Sequence, residues 1–225
     1  MFRSLFAQRP LPALPPLSGK AGRLAFLLLA VIPFLFGFMA LYLGQDANWD
    51  FRNYHWYNGY AALTGRYDTD LLPSQLPFFY NPALDIPYYL LASNVPAKLA
   101  AFVLGSVQGL NFILLFMLCH ATLIIPNPKQ KVWACTALSL LGMLGGGGLS
   151  QLGTTFYDNI TSLGLFASAL MVIRFFPTMI AEKTSYRKAF ALAALAGFPA
   201  GIMMGFKLPF APFCVALCGA LWLVT

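Results

Sequence analysis

The sequence predicts an all-α fold: a polytopic bundle of transmembrane helices with a long extracytoplasmic first loop that carries interfacial helices. Three observations predict it. Charged residues make up 9% of the 225 positions, against ~25% in a soluble domain. Hydrophobic residues make up 59%, and mean hydropathy is +0.71. The apolar residues fall in continuous runs near the ~20 residues a bilayer core requires, unlike the short alternating segments of a β-barrel. This composition excludes a soluble enzyme, a disordered chain and a nucleic-acid-binding module. The expected surroundings are a lipid bilayer, with no nucleic acid.

The first run covers 24–43. It is longer than the ~7–15 residues of a signal-peptide core, and no clean A-x-A site follows, so it reads as a retained helix. Five further runs read as spans at 99–125, 132–157, 159–173, 189–206 and 208–225. The Gly-rich end of the third is a poor helix former. The whole chain reads as one membrane domain. It has a Pro-rich tail at 1–23 (Pro10, Pro12, Pro15, Pro16), a loop at 44–96 and about five spans over 97–225. It stops inside its sixth run with no polar tail, which suggests the front part of a longer protein.

The net charge is +7, from 14 Lys and Arg against 7 Asp and Glu. Arg3, Arg9, Lys20 and Arg23 precede the first run. Lys129 and Lys131 separate the second and third, and Arg174, Lys183, Arg187 and Lys188 flank the gap before the fifth. Placing these inside puts the N-terminus in the cytoplasm. Segment 44–96, the turn near 145–158 and the joint at Lys207 then lie outside.

The acids divide unevenly under that topology. Asp46, Asp50, Asp68, Asp70 and Asp85 fall in the first outer loop and Asp158 in the second, while Glu182 alone is inside. A loop of about 50 residues is far longer than the ~12–15 usual for a connection. Its composition is not that of a disordered segment, because Trp49-Asp50-Phe51-Arg52-Asn53-Tyr54-His55-Trp56-Tyr57 is crowded with aromatics. Asp50 is placed to cap a helix from Phe51, and Gly65 to end it. A second short helix is expected near 83–91. Both suit the headgroup level of a membrane.

A carboxylate past the outer end of the first span can take a proton from a hydroxyl brought to the membrane surface. Asp50 and Asp46 are the candidates, with a plain helix cap as the alternative for Asp50. His55 and Arg52 can orient the base or hold a phosphate; a simple interfacial polar role is the alternative for His55. Asp158 can cap the fourth helix or face the first-loop acids. Lys207, at the outer end of the fifth run, can snorkel to the headgroups or bind a lipid phosphate. The glycines at 145–148 precede no Gly-Lys-Ser/Thr and follow no strand, so they form no P-loop. Gly197, Gly201 and Gly205 form a small-residue stripe that favours close helix packing. Cys119, Cys135, Cys214 and Cys218 read as small hydrophobes, and His120 as structural. No metal ligand set is evident.

Taken together, these segments resemble the C-type membrane glycosyltransferases (GT-C fold). The resemblance rests on the acidic, aromatic loop from Asp46 to Gly65 and on the Gly/Ser/Thr-rich turn ending in Phe156-Tyr157-Asp158. It also rests on Gly197-Phe198-Pro199-Ala200-Gly201-Ile202-Met203-Met204-Gly205-Phe206-Lys207. It implies transfer of a sugar from a polyprenyl-phosphate donor to a glycan, lipid or protein acceptor, on the outer face of a bacterial plasma membrane. Asp50, with Asp46 as rival, would be the general base. Lys207 and Arg52 would hold the carrier phosphate, with Asp158 as a supporting acid. Some members use a divalent cation. Members usually have eight or more spans, so about six is a departure. Two other classes stay open: a transporter or flippase-like component, and a non-catalytic subunit of an envelope-assembly complex. A transporter would place ionisable groups or broken helices near the membrane midplane, whereas these runs are almost free of charge.

Overall fold

The computed structural model describes residues 18–44 and 46–224. The proline-rich start, Gln45 and the final Thr225 lie outside the described residues. All regular structure described is helical, in the order α1 (Gly19–Leu43), a π-helical turn (Phe51–His55), α2 (Trp56–Thr64), α3 (Asp85–Asn94), α4 (Ala97–Gly109), α5 (Asn111–Thr122), α6 (Pro128–Met143), α7 (Gly146–Ser150), α8 (Asp158–Met179), α9 (Tyr186–Phe206) and α10 (Ala211–Val224). Among the described residues, four helical stretches are long and apolar enough to cross a membrane: α1, the near-continuous α4–α5 from Ala97 to Thr122, α8 and α9. This is the layout of a multi-pass membrane protein.

The expected span at 132–157 takes a different form. Its helix ends at Met143, because Gly142 and the glycines at 145–148 favour turns over helix continuation. The remainder becomes α7 and an irregular turn. That turn does not stay at the helix ends. Gln108 reaches it with both ends of its side chain, accepting from Gly153 N–H at 2.6 Å and donating to the Thr154 carbonyl at 3.1 Å. Asn111 donates to the Asn159 carbonyl at 2.6 Å. Gln108 lies eleven residues into the helix begun at Ala97, or ~16 Å along its axis. The turn therefore folds back into the bundle, and Thr155 and Tyr157 are buried within it.

Glycines set the closest helix contacts, at other positions than the expected stripe. α1 and α4 run antiparallel with Gly37 against Phe102 and Ser106, Gly105 against Ala40 and Phe36, and Gly109 against Pro33. A Cβ on Gly105 would fall 2.6 Å from the Ala40 Cβ. α8 and α9 meet the same way, with Gly164 under Pro199 and Met203. Pro199 interrupts the α9 ladder, and the Ala200 N–H donates instead to Ser168 Oγ at 3.0 Å. Gly197, Gly201 and Gly205 have open space where a Cβ would go, so among the described residues no helix packs closely on the expected stripe. The apolar core centres on Ala25, Ile32, Phe36 and Ala40 of α1, packed on Phe112, Phe116, Val132 and Cys135.

The loop after α1 is a folded cap. Gly65 adopts the left-handed conformation (φ 67°) that ends α2, as expected of a glycine there. The second loop helix begins at Asp85, close to the expected start. It packs against α2 at Gly59, where a side chain would strike Tyr89 and the Asp85 backbone. Asn81 donates to the Gly205 carbonyl at 2.8 Å, tying the cap to the end of α9.

Candidate functional site

Asp46 and Asp50 are one helical turn apart in sequence and have unlike surroundings. Asp46 is 7% exposed. Its Oδ2 accepts from both the N–H and the hydroxyl of Thr155 at 2.8 Å, and its Oδ1 accepts from the Asn48 backbone and side chain. The carboxylate is saturated, and it fastens the end of α1 to the re-entrant turn. Beside it lies a recess of ≈ 410 Å³ lined by Arg52, Trp56, Tyr88 and Gly153. Burial, helped by Asp46, pushes the Tyr88 phenol up to about 12.

Asp50 is not the cap expected for the loop helix. Asn48 takes that role, accepting from the Phe51 N–H at 2.7 Å. Asp50 already has helical dihedrals and makes no capping bond. A helix can start two residues early when an Asn supplies the cap oxygen, and this leaves the Asp50 carboxylate for another use. It lines a cleft of ≈ 1030 Å³ together with His55, Asp85, Tyr157 and Lys207, walled by the rings of Tyr54 and Tyr80. The Tyr54 phenol is held well above its usual range, by burial first and by the Asp50 charge second.

Lys207, which also lines the cleft, leaves the end of α9. Its Nζ donates to the Phe156 carbonyl at 2.5 Å and to Asp158 Oδ1 at 2.6 Å. An ammonium has three donors, so one remains for a ligand. Asp158 does not cap α8 with its side chain; it pairs with Lys207 instead. Asp158 also lines a neighbouring amide-rich pocket with Gln108, Asn111 and Asn159, so the ion pair stands between two cavities.

The cleft is also lined by a pair that sequence reasoning did not join. His55 Nδ1 and Asp85 Oδ1 lie 2.7 Å apart, at 9% and 3% residue exposure. Burial pushes the Asp85 carboxyl up from its ordinary range, and the His55 hydrogen bond opposes that rise. Tyr157 stands across the imidazole at 4.9 Å between ring centroids. Its hydroxyl interacts electrostatically with Asp85, but among the described residues no hydrogen bond of good geometry reaches it. Tyr157 also has φ 63°, an uncommon conformation for a residue with a side chain. Such outliers cluster where function requires a fixed geometry.

Of the site residues named from sequence, the cleft gathers Asp50, His55 and Lys207, with Asp158 bonded behind Lys207. Asp46 and Arg52 belong to the neighbouring recess. Asp85, Tyr54 and Tyr157 were missed as site residues. Asp85 carried a signal, as the one charge in an otherwise apolar 83–91 segment. The positive φ of Tyr157 carried none. His120 is buried and stacks on Phe116. Among the described residues, no three His, Cys, Asp or Glu side chains gather closely enough to hold a metal ion. No protein-family model matches this chain, and neither a curated protein nor a solved structure matches it.

Proposed function

We propose that this chain transfers a sugar from a polyprenyl-phosphate donor to a glycan, lipid or protein acceptor at the extracytoplasmic face of a bacterial plasma membrane. The N-terminus is then cytoplasmic, and the reading resembles that of the GT-C glycosyltransferases. One observation carries it: Asp50 and Lys207 line the same aromatic-walled cleft beside the end of a membrane-length helix. A carboxylate and an ammonium lining one cleft are what this transfer requires. The acceptor hydroxyl oxygen attacks the anomeric carbon and its proton passes to Asp50. The bond from that carbon to the phosphate oxygen breaks, its electron pair stays on the phosphate, and the free Lys207 donor faces the growing charge. Aromatic rings suit both a sugar's apolar face and the first units of a polyprenyl chain.

The test is mass spectrometry of the cell-envelope glycans in a strain lacking the full gene. It is complemented with wild type or with Asp50→Asn, with membrane levels matched by blot. A sugar that disappears on deletion and returns only with wild type supports the reading. Full restoration by Asp50→Asn removes Asp50 as the base. Unchanged glycans on deletion remove the transferase reading and favour a transporter or a scaffold.

A further inference from the structure

Lys207 meets the ligand just proposed already partnered by Asp158, and His55 lines the same cleft with one ring nitrogen to spare. Asp50 and Asp85 line the cleft as acids. Lys207 lines it as a cation, but Asp158 lies 2.6 Å from its Nζ and offsets much of its charge. Among the described residues that line the cleft, His55 is the one other side chain able to carry positive charge.

Its geometry suits that task. Nδ1 is engaged by Asp85 at 2.7 Å. Nε2 makes no hydrogen bond among the described residues and is not one of the sealed, unpartnered polar atoms, so it is open to the cleft that His55 lines. The ring is fixed by Tyr54 at 4.2 Å and by Tyr157 at 4.9 Å. A carboxylate bonded to one imidazole nitrogen sets the ring's orientation and leaves the other nitrogen for a ligand.

We propose that His55, held by Asp85, is a second cationic group of the cleft, donating its Nε2–H to the carrier phosphate as that phosphate leaves the sugar. This rests on the sugar-phosphate reading above and deepens it. The donor phosphate is a diester with one charge, and loss of the sugar leaves a monoester able to carry two. Its interaction with an imidazolium therefore strengthens along the reaction, the condition for lowering a barrier rather than only binding. No proton need move from His55; the acceptor's proton still goes to Asp50. Asp85 touches no substrate and is a positioning residue.

The test uses the full chain in lipid nanodiscs and a polyprenyl methyl phosphate as probe. This diester keeps one charge between about pH 5.5 and 8.5, where an ordinary histidine titrates. The groups facing His55 are Asp85, Tyr157 and Tyr54, with Asp50 one turn back and Tyr80 and Lys207 lining the same cleft. Carboxylates, phenols and ammonium groups ordinarily titrate outside that window. Asp85 is pushed toward it by burial, and its own variant separates its effect. Wild-type affinity should fall about tenfold as pH rises across the window. His55→Gln should bind at the wild-type high-pH level at every pH. In Asp85→Asn, which keeps an acceptor for Nδ1–H, the strong-binding limb should retreat to lower pH. Lys207→Met should weaken binding at all pH values alike.

A His55→Gln profile that keeps the wild-type pH dependence overturns the proposal and leaves the sugar-phosphate reading standing. So does an unshifted Asp85→Asn profile. A wild-type chain that does not bind the probe at any pH overturns the sugar-phosphate reading, and this inference with it. Melting curves confirm the fold of each variant, and if His55→Gln does not fold, the Asp85→Asn shift decides.

Discussion

The tie at Asp46 and the cleft at Asp50 begin within five residues of each other and serve opposite ends. At Asp46 each carboxylate oxygen has its partners, supplied by Thr155 and Asn48. At Asp50 the capping work is done by Asn48, and the acid lines a large open cavity. The first arrangement spends its hydrogen-bonding capacity on holding the chain. The second spends part of its capacity on the Tyr54 hydroxyl and turns the rest toward the cleft. Residue type does not separate the two; the number of partners within reach does.

The sharpest way to break this comparison is to neutralise each acid and read both activity and stability. Asp50→Asn should lower sugar transfer by at least ~100-fold, the lower range for loss of a general base, with melting in detergent almost unchanged. Asp46→Ala should do the reverse in kind. It leaves the Thr155 N–H buried without its acceptor and should cost about 3 kcal/mol, read from denaturation of the purified chain. Any loss of transfer there should follow the loss of folded protein.

The helix contacts allow the same contrast between a filled and an open surface. Gly105→Ala would place a methyl group 2.6 Å from the Ala40 Cβ and should cost ~1–3 kcal/mol. Gly201→Ala meets nothing and should stabilise slightly, by up to ~1 kcal/mol, as alanine generally does over glycine in a helix. Equal effects at the two sites would remove the packing assignment.

The smallest expected effect is in pH. The Asp85 carboxyl is raised in the folded chain, so the folded state holds that proton more tightly than the unfolded chain does. Its contribution to stability is therefore present below the ordinary carboxylate range and is lost as pH rises through the raised value. Wild type should lose a little stability across that interval, and Asp85→Asn should flatten that part of the curve. Melting temperatures taken from about pH 3.5 to 6 would show it.

The fold class and the four membrane-length helices were legible because long apolar runs admit few other structures. The helix of the aromatic loop and its Gly65 stop were legible from local chemistry. The end of the third run was legible from its glycines, and its helix does stop at Met143; hydropathy does not report that an amide from α4 pulls the following turn back into the bundle. The glycine stripe on α9 was misread for a related reason. A one-sided repeat says that close approach is possible, but where a neighbour lies is a tertiary fact, and α8 meets α9 at Pro199, Ala200 and Met203 instead. In the cleft, Asp50, His55 and Lys207 were legible as types able to do this chemistry. Their convergence was not, and neither was the Asp85 partner, which lies thirty residues from His55.

The most direct measurement is photo-crosslinking of the full chain in native membranes. The probe is a polyprenyl phosphate carrying a diazirine in its first isoprene unit, competed with unlabelled polyprenyl phosphate. The cleft account predicts competed crosslinks on peptides containing Tyr80 to Leu84 and Met204 to Pro212, reduced in Lys207→Met. Competed crosslinks confined to the Arg52, Trp56 and Tyr88 recess, or labelling that unlabelled carrier does not displace, would contradict it.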